Sequence, residues 1–157
     1  MRAGIGYDVH PFERGRPLVL GGTRIDHEAG LAGHSDGDVL THAVIDALLG
    51  AAALGDIGSH FPSEDERYRD AASLDLLRRA VELVAAAGYR VANVDAIVVA
   101  EAPRLAPHIE AMRAALAGAL GVDLGAVSVK ATTADRLGAI GRGEGIAAFA
   151  VALLDST

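Results

Sequence analysis

Two short segments constrain this chain more than anything else in it: Gly4-Ile5-Gly6-Tyr7-Asp8-Val9-His10 and Gly33-His34-Ser35-Asp36-Gly37-Asp38-Val39-Leu40-Thr41-His42. Read as a strand, the first alternates its side chains with period 2, so Asp8 and His10 share a face. The second passes from a loop into a helix on which Asp38, His42 and Asp46 recur at i, i+4 and i+8, one stripe. A carboxylate and two imidazoles converging from separate elements make a three-ligand set with an open fourth position. That is the pattern of a catalytic zinc site rather than of a closed structural one. Singly, each residue has an ordinary reading as a strand-end carboxylate, a core histidine or a helix-surface histidine. Their joint spacing, with glycine nearby to allow close approach, favours the metal. Asp46 is either an acceptor for an imidazole N–H or a solvated helix carboxylate.

The rest of the chain must form a fold that lays that strand on that helix. Its 157 residues, 51% hydrophobic and 22% charged, are enough for one domain with a real core. Cysteine is absent, so disulfides and thiolate metal sites are excluded, which fits a reducing cytoplasm. No apolar stretch follows Arg2 as in a signal peptide. The uncharged apolar runs Ala47–Gly55 and Ile146–Leu154 fall well short of the ~20 residues that span a bilayer. The expected setting is therefore the cytoplasm, with no membrane partner. Net charge is −7, and Lys130 is the only lysine, with no basic stripe, which argues against nucleic acid as a partner. An acidic chain that handles an anionic substrate needs local cations, backbone N–H groups or metals.

Periodicity and punctuation place the elements. Arg2–Asp8 reads as a strand, and Pro17–Gly21 and Thr23–Ile25 as a hairpin around Gly21-Gly22. Asp38–Ala53 reads as a helix, Asp56–Asp70 as a polar surface loop, and Ser73 as the N-cap of a helix ending at Gly88. Val94–Ala100 is an apolar strand, and Pro107 is suited to begin a helix that Gly121 closes. Val127–Thr132 alternates as a strand, Arg136–Gly145 is a Gly-rich loop, and Ile146–Leu154 is a buried strand. This order predicts a single α+β domain over residues 1–157: a mixed, mostly antiparallel sheet with helices packed on one face, ferredoxin-like.

Further segments suit phosphate. His34-Ser35 precedes a helix, where backbone N–H groups and a hydroxyl serve either an anion or a simple cap. Asp36 and Asp38 suit caps better than ligands. Ala131-Thr132-Thr133-Ala134-Asp135 follows a strand with hydroxyls and amides that can wrap phosphates, and Asp135 can hold Mg²⁺. Ala100–Ala106 is either a cradle for a flat base or a plain connector. Gly141-Arg142-Gly143-Glu144-Gly145 is either a turn with an internal ion pair or a buried Arg–Glu pair at a subunit contact.

Over nearly its whole length the chain resembles the 2-C-methyl-D-erythritol 2,4-cyclodiphosphate synthase family of the non-mevalonate isoprenoid pathway. The resemblance rests on Gly6–His10, His34–Val39, Asp46–Gly58, Val129–Thr133 and Gly141–Ala147. It implies a homotrimer with active sites between neighbouring subunits, turning a CDP-linked methylerythritol 2-phosphate into a cyclic diphosphate with release of CMP. It further implies one Zn²⁺ per chain on Asp8, His10 and His42, and a second divalent ion, Mg²⁺ or Mn²⁺, at Asp135, where the family usually has Glu. His34 and Thr133 would position and stabilise the reacting diphosphate. Asp56 with Ile57 and Gly58 would form the methylerythritol site. The cytidine pocket would comprise Ala100, Glu101, Ala102, Pro103, Arg104, Leu105 and Ala106 with Ala131 and Thr132. Ser35, Phe61, Asp65 and Arg142 would complete the substrate contacts. Two other classes fit the residues themselves: a zinc phosphohydrolase acting on a nucleotide, and a non-enzymatic trimeric metal- or phosphate-binding module.

Overall fold

The structure, a computed structural model, describes residues 1–157. Its first elements are β1 (Arg2–Arg14), β2 (Leu18–Leu20), β3 (Thr23–Ile25), β4 (Ala29–Leu31), α1 (Val39–Ala51) and the single turn α2 (Ile57–His60). Then come α3 (Ser73–Ala86), β5 (Tyr89–Val99), α4 (Ile109–Leu120), β6 (Val127–Thr132), the turn α5 (Gly138–Gly141) and β7 (Gly145–Ser156). A five-stranded sheet has the order β4-β1-β7-β5-β6, and β2 and β3 form a separate hairpin. All its pairs are antiparallel except β5–β6. That parallel pair is the one connected through a helix, α4, as parallel neighbours require.

Strand alternation decides which face the helices cover. Val94, Ala96 and Val98 of β5, Val127 and Val129 of β6, and Ile146, Ala148, Ala150, Ala152 and Leu154 of β7 are buried on the helix face. Gly4 and Gly6 lie on that face in β1, where a Cβ would sit 2.1 Å from the Ala47 carbonyl oxygen and 1.8 Å from that of Ala43. The glycines therefore let β1 lie directly on the α1 backbone. One residue out of phase, Ile5, Tyr7 and Val9 of β1 and Phe149 and Val151 of β7 are exposed on the opposite, uncovered face. Tyr7 and Phe149 pack there with ring centroids 4.8 Å apart.

The α+β architecture with a mixed sheet agrees with expectation, and several boundaries do not. β1 runs past Asp8 to Arg14 because it changes partners: Arg2–Pro11 pairs with β7, and Phe12–Arg14 pairs with β4. β4 itself, Ala-Gly-Leu, carries no strand signal. The presumed loops hold helical turns at Ile57–His60, Glu66–Tyr68 and Gly138–Gly141. Pro107 falls in a 3₁₀ turn, Ala106–His108, ahead of α4 rather than beginning it. Ser73 is the first helical residue of α3 and not its cap, which is Ala72; the Ser73 hydroxyl is used elsewhere.

Candidate metal centre

The centre is built where β1 crosses the first turn of α1. Asp38 fixes that turn. Its carboxylate is fully buried and accepts the Thr41 amide at 3.0 Å and hydroxyl at 2.7 Å, and the Gly21 and Gly22 amides at 2.8 and 2.7 Å. One side chain thus caps α1 and ties it to the β2–β3 turn. Burial, aided by the Asp36 charge, raises the Asp38 carboxyl above its usual range against these hydrogen bonds.

One turn on, His42 reaches the end of the Gly4-Gly6-Asp8-His10 face of β1. Asp8 Oδ2 lies 2.7 Å from His10 Nε2 and 3.1 Å from His42 Nδ1, and the two nitrogens are 3.4 Å apart. Ligand atoms on a tetrahedral zinc would be roughly 3.3 Å apart, so the set fits such an ion with little movement. His10 Nδ1 faces the Ala32 carbonyl, which can only accept, so Nδ1 carries a proton and Nε2, which gives its own proton to Asp8 in the metal-free protein, is the nitrogen a metal would take. No other trio of ligating side chains in the structure comes together in this way. Burial pushes the Asp8 carboxyl up, but hydrogen bonds and charge from His10 and His42 outweigh it and hold it at about 2. Burial lowers His10, yet its hydrogen bond and charge interaction with Asp8 prevail and raise it.

The trio opens onto a cavity of about 240 Å³ that also touches His34, Ser35, Ile57, Gly58 and Phe61. Ser63, Tyr68 and Leu76 complete its lining, brought there from the 61–70 segment and from α3. His34 Nε2 donates to the Asp65 carbonyl at 3.0 Å, tying the loop before α1 to the 61–70 segment. Asp46 is not an imidazole partner. It accepts the Ile57 amide at 2.7 Å, so α1 also pins the start of α2 on the cavity wall. Asp56 caps α2 by accepting Ser59 N–H at 2.8 Å, and the Asp65 carboxylate is held by Arg67. The sequence missed Ser73, whose hydroxyl lies 2.8 Å from His42 Nε2.

A second group of expected residues gathers elsewhere. Ala100–Ala106 and Ala131–Asp135 adjoin at the ends of the parallel pair. The Ala100 amide donates to the Thr132 carbonyl, and Glu101 accepts the Ala134 amide at 2.8 Å. In register, Asp8 sits opposite Ala148, Ala148 opposite Val98, and Val98 opposite Ala131. Three strand spacings, roughly 14 Å, therefore separate this group from the metal centre within one chain. Thr133 and Asp135 are exposed, and Arg142 is held at the surface by Glu144 at 2.8 Å.

The YgbB family model matches residues 1–155. The chain belongs to the YgbB family. It is 64% identical to the 2-C-methyl-D-erythritol 2,4-cyclodiphosphate synthase of Thioalkalivibrio sulfidiphilus, over 99% of this chain and 98% of that one. It is 62% identical to the synthase of the same name from Pseudomonas paraeruginosa, over 98% of both. Among solved structures, a 2C-methyl-D-erythritol-2,4-cyclodiphosphate synthase in a CDP-bound form superposes with a TM-score of 0.90. That match has 38% identity and covers 98% of this chain and 100% of the other. The bifunctional IspDF of Campylobacter jejuni, at 43% identity, matches with a TM-score of 0.96 over 99% of this chain and 42% of its own.

Proposed function

We propose that this YgbB-family chain converts 4-CDP-2-C-methyl-D-erythritol 2-phosphate to 2-C-methyl-D-erythritol 2,4-cyclodiphosphate and CMP. The observation that carries the reading is the Asp8–His10–His42 cluster opening onto a cavity edged by His34, Ser35 and the Ile57–Gly58 backbone. An oxygen of the 2-phosphate attacks the β-phosphorus and forms the ring-closing P–O bond. The bond from that phosphorus to the bridging oxygen breaks, and CMP leaves with the electron pair. The nucleophile is already anionic, so no strong base is needed; the site must fold the substrate for in-line attack and neutralise its charge. Zn²⁺ on Asp8, His10 and His42, one per chain, with Mg²⁺ or Mn²⁺ at Asp135, would supply that neutralisation. His34 and Ser35 orient the diphosphate, the Ile57–Gly58 backbone receives the methylerythritol, and Thr133 acts on the diphosphate from the side of the cytidine pocket.

A phosphohydrolase would need a base beside the attacking water. The carboxylates of Asp46 and Asp56 do not line the cavity, and each accepts a backbone amide. ³¹P NMR of the CDP substrate with the protein tests the reading. Cyclic diphosphate plus CMP is expected. A linear monophosphate product would indicate the hydrolase, and unchanged substrate the binding module.

We further propose a homotrimer in which the Thr132–Asp135 and Ala100–Ala106 group of one subunit completes the metal centre of the next. The ~14 Å gap across the sheet of one chain supports this, as does the uncovered apolar face of β1 and β7. No helix is long and apolar enough to cross a membrane, and a cytoplasmic location fits the chain's lack of cysteine.

A further inference from the structure

The metal reading leaves unexplained why a buried serine and a second carboxylate stand behind His42. Ser73, fully buried at the start of α3, places its Oγ 2.8 Å from His42 Nε2. The same hydroxyl bonds Asp36, whose carboxylate also accepts the Ser73 amide at 2.9 Å and the Asp38 amide at 3.1 Å. A carboxylate only accepts, so the Ser73 proton points at Asp36. The Ser73 oxygen is left with lone pairs toward the ring, so His42 must carry its proton on Nε2. In the neutral ring that binds a metal, Nδ1 then turns its lone pair to the position between Asp8 and His10. The loop is fastened from both sides, with Asp36 N–H donating to the Ala71 carbonyl at 3.1 Å and Asp70 N–H to that of His34 at 2.8 Å.

We propose that Asp36 and Ser73 are positioning residues that set the tautomer and ring angle of His42 and thereby the metal affinity of the centre. The proposal rests on the metal reading of Asp8, His10 and His42. It also divides two similar hydroxyls. Ser35 Oγ lies 3.0 Å from the same Nε2 but has no acceptor of its own in the structure and lines the cavity. Its proton is free for a bound anion, whereas that of Ser73 is committed to Asp36. Partners of this kind behind a metal-binding imidazole are worth roughly 10- to 100-fold in metal affinity.

The experiment is a zinc titration against a competing chelator on the full chain and on Ser73→Ala and Ser35→Ala. It is joined to ¹H–¹⁵N long-range correlation of the histidine ring nitrogens in the zinc-loaded parent. Ser73→Ala should bind zinc about 10-fold or more weakly, Ser35→Ala within about twofold of the parent, and His42 should read as protonated at Nε2. The spectrum is taken on the parent, so it decides the point even if Ser73→Ala does not fold. Parent-like zinc affinity in a folded Ser73→Ala, or a proton on His42 Nδ1, would overturn the proposal while the metal reading stands. A parent chain that takes up no zinc would overturn the metal reading itself.

Discussion

Asp8 and His10 hold each other in their charged forms. With the carboxyl at about 2 rather than the ordinary 3.8, the ionised state contributes stability above 3.8 that is lost as pH falls toward 2. His10 is raised above 6.5, so its contribution is complete below 6.5 and is lost as pH rises through its folded value. The pair therefore stabilises the metal-free protein most between about pH 4 and 6.5. The full carboxyl shift would correspond to roughly 2.5 kcal/mol; with a quarter of the side chain open to solvent, about 1 kcal/mol is expected. Melting temperatures of metal-free parent and Asp8→Asn should differ most near pH 5 and converge at both ends. A gap that keeps widening to pH 8 would contradict the assignment. A metal competes with protons for the same lone pairs, so zinc affinity should climb as pH passes through the His10 range. Chelator competition at pH 5.5 and 8 measures that directly.

At the same scale, legibility followed locality. The face shared by Asp8 and His10 follows from period 2 alone, and His42 from a helical stripe that begins at Asp38. Asp46 lies on that stripe too, yet its partner is an amide eleven residues on, brought back by the turn at 52–56. Ser73 looks like any serine before a helix. Only the docking of α3 against the 33–38 loop reveals that its hydroxyl faces a ring from another element.

Among the elements, α1 and β1 act as one part. Gly4 and Gly6 bring their backbones together, and this close approach lets a strand residue and a helix residue share one cluster. Gly6→Ala would place a methyl group 1.8 Å from the Ala43 carbonyl oxygen, and neither backbone can yield cheaply. The helix would be displaced, with a loss of about 2–4 kcal/mol and weaker metal binding because the Asp8–His42 spacing opens. Gly118 supplies the contrast: it is helical, exposed and has open space where a Cβ would go. Gly118→Ala should gain about 0.5–1 kcal/mol and leave the metal untouched. Denaturant unfolding of both variants beside zinc content separates the two effects. A Gly6→Ala protein of parental stability would mean that the contact is softer than described. The long elements were legible because their periodicity is local. β4 was not, because Ala-Gly-Leu becomes a strand only by meeting Phe12–Arg14 of β1.

The whole molecule is lopsided: one sheet face is buried under helices, and the other exposes Ile5 at 72% and Val151 at 49%, opposite each other across β1 and β7. Val151 also faces Asp95 of β5, whereas Ile5 has only the apolar Val151 as its strand partner, so a charge placed at Ile5 meets no like charge across the sheet of the single chain. It would be desolvated if this face packs around a three-fold axis, where buried unpaired charge is costly. Ile5→Asp should therefore fold normally yet sediment as a monomer, and a trimer of unchanged strength would place the interface elsewhere. That variant does not show whether the active sites themselves are shared, and mixing two inactive chains does. His42→Ala removes a residue of the metal cluster, and Thr133→Ala removes a hydroxyl from the other group, roughly 14 Å away across the same sheet. Neither parent trimer has an intact site if both groups are needed. In a mixed trimer, a site that draws its metal cluster from a Thr133→Ala chain and its hydroxyl from a His42→Ala neighbour is whole. After dissociation and reassembly, part of the activity should return, in proportion to the fraction of such pairings. Verified mixed trimers with no activity would mean that each chain builds its site alone, by a path around the sheet that the register between β1 and β6 does not offer.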